Sequence, residues 1–412
     1  MTAIKLPDQA IEAVEESIAE LKALCYSAGG DVVASITQSL KCYHPGHLFG
    51  EGKLEEIKQL CIDTRAQLLI YDGELSPSQQ EKLERCLDIA VIDRPALILD
   101  IFARHARSRE AKTQVELAQL QYILPRLAGH WTHLERQEAA IGTRGPGETQ
   151  LETDRRMVYK KIGELKKELE KIDTERNTQR KRRGDKINFC LVGYTNAGKS
   201  SLFNSLTGDA VLVADRLFAT LDSTTRRVSL KGIGEYLLTD TVGFIKKLPV
   251  NLVASFRSTL KEAVSADMLI HVVDFAAADL DENIRIVNEV LDDIGAGEIK
   301  RLLVFNKIDL VKNTELRRNM IASYPGCKFV SAKTGEGIDS LRQTLVETCD
   351  EMFVELEASV SPDDGTALAS LAKMMQVYSG HSRGDLIVYK GKILRFDIPK
   401  LERLGVKFEY GN

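Results

Sequence analysis

What the chain lacks narrows the question first. No stretch reaches the roughly 18 consecutive apolar residues that a membrane span needs; the best run, Met268 to Val273, is short and includes His271. Seven cysteines are scattered along the chain, odd in number and nowhere arranged as C-x-x-C. Free thiols in a reducing cytosol fit that pattern better than a disulfide scaffold or a zinc site. The opening residues carry Asp8 and the acidic set Glu12, Glu15 and Glu16, without the basic start and apolar stretch of a secretion signal. A cytoplasmic protein with no membrane span is expected.

What is present is an average soluble composition, 43% hydrophobic and 28% charged, which excludes a fibre, a collagen and a wholly disordered chain. At 412 residues and roughly 150 per domain, two to four domains are expected. The net charge of -4 is unevenly spread. Residues 1–100 hold 9 Lys/Arg against 17 Asp/Glu, whereas residues 101–183 hold 19 against 12. A local basic excess points to a polyanionic partner at that segment.

Residues 1–108 alternate strand-like and helical stretches. Val32 to Ile36, Gln67 to Tyr71 and Ala90 to Ile92 are β-rich, and Gly52 to Arg65 is helical with Leu54, Ile57, Leu60 and Cys61 on one face. That order predicts a small parallel α/β domain. From residue 109 to 184 the period changes. Leu117, Leu120, Leu124, Leu127, Trp131 and Leu134, and then Val158, Ile162, Leu165, Leu169 and Ile172, form two apolar seams of period 3.5. Between them Ile141-Gly-Thr-Arg-Gly-Pro-Gly-Glu148 cannot continue a helix. The prediction is a long antiparallel helical hairpin with this loop at its tip, a kink at Pro125 and a solvated basic linker at Arg180 to Arg183. Residues 185–350 carry apolar strand runs separated by helical sequence, a doubly wound α/β pattern. In 351–412 the expected order is a strand at Phe353–Val360, a helix at Gly365–Val377, a hairpin of Asp385–Tyr389 and Lys392–Phe396, a short helix at Pro399–Leu404 and a strand at Val406–Tyr410. This βαββαβ order predicts a ferredoxin-like α+β domain.

The chemistry lies in the third region. Gly193-Tyr194-Thr195-Asn196-Ala197-Gly198-Lys199-Ser200-Ser201 fits the phosphate loop G-x-x-x-x-G-K-[ST], directly after a strand and opening a helix. Its glycines let backbone N–H groups aim at phosphate oxygens, and the helix N-terminus adds positive potential. Lys199 would neutralise the β- and γ-phosphates and the Ser200 hydroxyl would ligate Mg²⁺. Asp240-Thr241-Val242-Gly243 follows a strand, where the carboxylate can hold Mg²⁺ through water and the Gly243 N–H can reach the γ-phosphate. Lys199 and Gly243 are therefore the catalytic candidates.

Asn306-Lys307-Ile308-Asp309 follows the next strand. An aspartate there can accept both guanine N1–H and the exocyclic amine, an arrangement adenine does not offer. Asn306 would brace the loop, the Lys307 stem would cover the base, and Ser331-Ala332-Lys333 would offer N–H groups to the guanine carbonyl. These motifs in this order define a guanine-nucleotide site. Phe218-Ala219-Thr220-Leu221-Asp222 lies where a γ-phosphate-sensing switch belongs, with Thr220 the expected second Mg²⁺ hydroxyl and Thr224 and Thr225 the alternatives. GTP and GDP are the expected substrate and product.

Two departures stand out. Phe244 replaces the water-orienting glutamine of Ras-like GTPases and cannot orient water by hydrogen bonding, so slow intrinsic turnover is expected. Arg226, Arg227, Lys246 and Lys247 are nearby charges, either contributors or surface residues. Asn196 occupies a position that in some GTPases helps hold a monovalent cation, which makes K⁺ a further candidate cofactor.

Together with Gly50-Glu-Gly-Lys-Leu-Glu-Glu-Ile57, Asp93-Arg94, Ile98-Leu-Asp-Ile-Phe102 and Gly142-Thr-Arg-Gly-Pro-Gly-Glu-Thr-Gln-Leu-Glu-Thr-Asp-Arg-Arg156, these motifs resemble the HflX family of ribosome-associated translational GTPases, over about residues 40 to 345. Phe244 agrees with that family; Ser223 stands where many members carry proline. The resemblance implies GTP hydrolysis stimulated by the large (50S) ribosomal subunit, rRNA contact through the hairpin and splitting of stalled or idle 70S ribosomes. Arg144, Arg155 and Arg156 are the candidate RNA contacts, with a turn role the alternative for Arg144. A monomer without DNA binding is expected. A GTPase of rRNA maturation or RNA modification, and a nucleotide-dependent binding module, are the competing readings.

Overall fold

The computed structural model describes residues 1–7, 9–43, 46, 48–127, 147–183, 186–208, 217–218, 222–230, 234–247 and 257–410. The chain opens with β1 (Thr2–Lys5), α1 (Ile11–Ser27), β2 (Ile36–Ser39), α2 (Glu51–Thr64), β3 (Leu68–Tyr71), α3 (Pro77–Leu87), β4 (Ala90–Asp93) and α4 (Arg94–His105). The strands form a four-stranded sheet in the order β2-β1-β3-β4, parallel throughout. Helix starts are specified locally. Ser76 and Gln79 make a reciprocal capping box ahead of Pro77, and the Asp93 carboxylate accepts the Ala96 N–H at 2.9 Å to start α4. The expected strand at Val32–Ile36 is displaced to Ile36–Ser39, because its partner β1 is only four residues long and pairs Thr2 with Ile36 and Lys5 with Ser39.

Next come α5 (Arg109–Ile123) and α6 (Gly147–Arg183). They run antiparallel: Arg176 meets Glu110 at 2.7 Å and Lys161 meets Glu116 at 3.3 Å. Leu117, Ile162 and Leu165 are buried between them, flanked by Leu120, Leu124, Val158 and Leu169, so the period-3.5 seams pack as read in this stretch. At Pro125 the α-helix ends and a 3₁₀ turn, Leu124–Arg126, follows, since proline has no N–H to continue the ladder. The run Arg180–Arg183, expected as a linker, belongs to the last turn of α6. Lys and Arg are good helix formers and are favoured at a helix C-terminus. Trp131, Leu134 and the loop tip with Arg144 lie outside the described residues.

The third unit comprises β5 (Asn188–Gly193), α7 (Lys199–Thr207), β6 (Thr224–Leu230), β7 (Gly234–Asp240), α8 (Arg257–Val264), β8 (Met268–Asp274), α9 (Leu280–Asp293), β9 (Arg301–Asn306), α10 (Thr314–Ser323), β10 (Lys328–Phe329) and α11 (Ile338–Met352). Its sheet runs β10-β9-β8-β5-β7-β6, parallel except that β6 is antiparallel to β7. Phe189, Leu191, Leu202, Phe203, Val272 and Val304 fill its core. The carboxyl ends of β5, β7, β8 and β9 converge on one edge, where such folds bind ligands.

The last unit is β11 (Phe353–Val360), α12 (Gly365–Met374), β12 (Met375–Arg383), β13 (Leu386–Leu394), α13 (Ile398–Glu402) and β14 (Lys407–Tyr410). The sheet order β12-β13-β11-β14, antiparallel throughout, is that of a ferredoxin-like module. The expected hairpin was misplaced. Its turn falls at Gly384, and Gly391 lies within β13, where a Cβ would stand 2.1 Å from the Gln376 carbonyl oxygen. That glycine marks close backbone approach, and the segment expected to finish the helix is strand.

Candidate nucleotide site

The sequence from Gly193 to Ser201 leaves β5 and enters α7 through two glycines that no other residue can replace. Gly193 has φ 150° and a Cβ there would sit 2.1 Å from the Val272 carbonyl oxygen. Gly198 has φ 86°, and its Cβ would stand 2.2 Å from Asn306 Nδ2. Between them Asn196 is exposed in left-handed backbone at φ 59°, Ala197 is buried, and the buried Thr195 hydroxyl has no partner among the described residues.

Lys199 is buried and its Nζ donates to the Gly193 and Tyr194 carbonyl oxygens at 3.1 and 2.9 Å. Burial pushes its pKa down to about 8, with Asp240 opposing. Among the described residues the ammonium is thus held at the loop by two neutral backbone oxygens, and a phosphate would offer it stronger, charge-assisted bonds.

Asp240, at the end of β7, has no exposed surface. One carboxylate oxygen accepts the Ser200 hydroxyl at 2.6 Å and the other has no partner among the described residues. Burial holds its carboxyl above the usual carboxylate range, against the Ser200 bond and the Lys199 charge. A hydroxyl and an under-satisfied buried carboxylate side by side are the hard oxygen donors that Mg²⁺ takes, so the residues present fit this cation. Thr225, an alternative to Thr220 as metal ligand, is in β6 with its hydroxyl 3.0 Å from that of Thr239. Ala219, Thr220 and Leu221 lie outside the described residues.

The base-reading motifs are braced on the phosphate loop. Asn306 Nδ2 donates to the Ala197 carbonyl at 3.0 Å, and Asn306 Oδ1 accepts the Ala332 N–H at 3.0 Å. The Ser331 hydroxyl donates to Asp309 at 2.6 Å and orients the carboxylate. Lys307, in left-handed backbone at φ 66°, is held by Asp274 at 2.7 Å. Ile308 is buried and Lys333 exposed. Asp274 was missed from sequence, although it ends an apolar parallel strand on the ligand edge.

The segment after Asp240 is zipped onto the phosphate loop. The Thr195 N–H donates to Phe244 O at 2.7 Å and the Phe244 N–H to Gly193 O at 3.1 Å. A Cβ on Gly243 would stand 2.9 Å from Lys199 Nζ, so only glycine brings its N–H this close. The Phe244 ring is buried among Cys190, Val192 and Ala263. Thr241 and Val242 turn their side chains inward, Thr241 to the Leu191 carbonyl at 2.6 Å.

The side chains of three expected nucleotide contacts reach the N-terminal unit. Phe218 packs edge-on against Phe102 with ring centroids 4.6 Å apart, in an apolar cluster shared with Leu24 and Ile98. The Asp222 carboxylate accepts from the N–H groups of Arg107 and Ser108 at 3.2 and 3.0 Å and from the Ser108 hydroxyl. The Tyr194 hydroxyl donates to Glu20 and accepts the Lys246 N–H at 2.8 Å. Glu20 also holds Arg94, which meets Asp72 at 2.7 Å, and Asp72 in turn takes Lys247 at 2.7 Å. Lys246 and Lys247 are therefore tied to the N-terminal unit, while Arg226 and Arg227 are exposed on β6. Sequence pattern carries no signal for this chain of charges, because its members lie far apart along the chain.

A phosphate loop, an Asp-x-x-Gly segment zipped to it and a guanine-reading loop braced on it by Asn306 define a P-loop GTPase. Family models agree: a GTP-binding GTPase N-terminal model matches residues 15–103, a GTP-binding GTPase middle region 105–183 and a 50S ribosome-binding GTPase 188–307. The GTPase HflX of Escherichia coli is 46% identical over 353 residues, 85% of this chain and 83% of that protein. That of Magnetococcus marinus is 41% identical over 406 residues, 97% and 94% of the two chains. A GTP-binding protein from the archaeon Sulfolobus solfataricus, solved in complex with GDP, is 29% identical over 85% of this chain and 99% of its own, with a TM-score of 0.44. The chain belongs to the HflX family of GTPases.

Proposed function

We propose that this GTPase binds the large (50S) ribosomal subunit in its GTP form and splits stalled or idle 70S ribosomes in the cytoplasm, acting as a monomer. The observation that carries the reading is the basic helical hairpin, with Arg155 and Arg156 exposed on α6, attached to a guanine-nucleotide site. Basic residues on such an arm suit rRNA phosphates, with an affinity that falls as salt rises. The family model over residues 188–307, described as a 50S ribosome-binding GTPase, supports the same partner.

At the site, Lys199 and the loop N–H groups neutralise the β- and γ-phosphates, and the Gly243 N–H meets the γ-phosphate. Ser200, Thr220 and, through water, Asp240 would hold Mg²⁺, which would supply charge neutralisation to the phosphates. Asp309 and the loop at Ser331 to Lys333 select guanine. With Phe244 in place of glutamine, the group that orients water comes from elsewhere, and the docked ribosome stimulates turnover. Asn196 makes K⁺ a candidate auxiliary cation, which rates in KCl against NaCl test.

The test is phosphate release with and without purified 50S subunits, alongside gradient profiles of 70S particles. Slow turnover alone, at least tenfold stimulation by 50S and loss of the 70S peak with GTP are expected. Unchanged turnover and intact 70S particles contradict the reading. Co-sedimentation with precursor rRNA in place of 50S subunits assigns the protein to rRNA maturation.

A further inference from the structure

Three consecutive residues of the phosphate loop grip the segment that follows Gly243. Gly193 and Thr195 do so through backbone hydrogen bonds with Phe244 at 3.1 and 2.7 Å. Tyr194, between them, does so with its side chain: its hydroxyl oxygen accepts the Lys246 N–H at 2.8 Å while its proton goes to Glu20 of α1. The Tyr194 carbonyl oxygen accepts from Lys199 at 2.9 Å. Burial, reinforced by the Glu20 charge, holds the phenol well above its usual pKa, so it stays a donor. Glu20 is in turn committed on both oxygens. One takes the Tyr194 hydroxyl, and the other takes Arg94, whose side chain has no exposed surface and also meets Asp72 at 2.7 Å. The result is a one-way chain of donors, from the Lys246 N–H through Tyr194 to a carboxylate fixed in the N-terminal unit.

We propose that Glu20 is a positioning residue for GTP hydrolysis, acting through the Tyr194 hydroxyl on the backbone that follows Gly243. The inference rests on the reading of Gly243 as the residue whose N–H meets the γ-phosphate. The paired bonds at Phe244 fix one point of that segment and, taken alone, would let it pivot there. Val242 and Ile245 are buried in an apolar cluster shared with Leu24 and Ile98, but apolar burial is non-directional. The Lys246 N–H supplies a second directional point, two residues further on. Its bond is strengthened because a charged acceptor claims the phenol proton, which polarises the oxygen and leaves a lone pair for Lys246. Tolerance is small here: a Cβ on Gly243 would stand 2.8 Å from Thr195 Cα. Phosphate binding falls to the loop N–H groups and Lys199, whereas Glu20 acts on the segment beyond Gly243. Breaking the chain should therefore lower turnover and leave affinity in place.

The test uses the full chain and no ribosome, so it is independent of the partner assigned above. Glu20→Gln keeps the shape of the side chain and one acceptor oxygen. Arg94 can only donate, so that oxygen stays on Arg94 and the new NH₂ turns to Tyr194, which reverses the chain and displaces Lys246. Tyr194→Phe removes the hydroxyl and keeps the ring. Each variant should lower the single-turnover rate of GTP hydrolysis about tenfold. GDP binding should stay within about twofold of wild type, and the Lys246 amide should exchange faster with solvent. The double variant should be no slower than either single one, because both changes break the same chain. An unchanged rate in either single variant overturns the proposal, as do losses that multiply in the double variant. If Lys246 exchange has quickened while the rate is unchanged, the reading of Gly243 falls with it; if exchange is unchanged too, the chain alone is wrong. Joint loss of GDP binding and turnover in both variants marks a structural role and also overturns the proposal. Failure of wild type to bind either guanine nucleotide would instead sink the reading of the site itself.

Discussion

Asn306 and Ala197 are joined by a 3.0 Å hydrogen bond that fastens the base-reading loop to the phosphate loop. The same side chain accepts from Ala332, so one amide holds the two halves of the nucleotide site in register. Replacing it strands a buried carbonyl and an N–H, each at about 1–3 kcal/mol. Asn306→Ala should weaken GDP binding by at least tenfold. Gly198→Ala should do the same by pushing a methyl group into Asn306 Nδ2 and forcing an L residue to a positive φ. Calorimetric titration with GDP checks both; binding within twofold of wild type would show that the brace is dispensable.

In the proposed function base choice falls to the Asp309 carboxylate, which Ser331 orients. Two hydrogen bonds to a charged acceptor amount to about 3–6 kcal/mol, or roughly 10²- to 10⁴-fold. Asp309→Asn should lose guanine affinity on that scale and gain affinity for a xanthine nucleotide, whose C2 oxygen can accept from the new amide. Competition of GDP and XDP for the variant measures the shift, and unchanged GDP preference would mean that another residue reads the base.

The N-terminal unit and the Asp-x-x-Gly segment share the Asp72 carboxylate. Arg94 on one side has no exposed side-chain surface, whereas Lys247 on the other is 45% exposed. Removing Asp72 leaves a buried guanidinium with Glu20 as its remaining carboxylate, a loss of about 3–5 kcal/mol. Removing Lys247 takes away a partly solvated partner, at about 1 kcal/mol or less. Denaturant unfolding should therefore rank Asp72→Ala far below Lys247→Ala. Equal effects would contradict the burial argument.

His271, within β8, is 2% exposed and its Nε2 has no partner among the described residues. Burial, reinforced by Arg301 and Lys199, pushes its pKa down to about 3. In the unfolded chain the imidazole takes a proton near pH 6.5. Between those values only the unfolded state is protonated, so stability falls as pH drops below about 6.5, by about 1.4 kcal/mol per unit, until pH nears 3. His271→Leu should flatten this part of the acid limb in urea unfolding at pH 7, 6 and 5. An unchanged slope would show that the imidazole is charged in the folded state.

The nucleotide site was legible because phosphate, metal and guanine each dictate residue types at fixed spacing. Gly193, Gly198, Lys199, Asp240, Asn306 and Asp309 follow from chemistry before any fold is drawn. The apolar strands Met268–Asp274 and Arg301–Asn306 were legible because burial on both faces leaves a continuous hydrophobic run. Gly391 misled because a glycine at a turn and a glycine under a crossing backbone look alike in sequence. The short strand Thr2–Lys5 offered too few residues for a pattern. The attachment of Phe218, Asp222, Tyr194 and Lys247 to the N-terminal unit was invisible, since it depends on contacts between residues about 115 to 175 positions apart.

The most direct measurement is co-sedimentation of the full chain with 50S subunits in the presence of a non-hydrolysable GTP analogue, GDP or no nucleotide. A guanine-nucleotide switch coupled to a basic arm predicts binding at least tenfold tighter with the analogue than with GDP. Equal binding in all three conditions would contradict it.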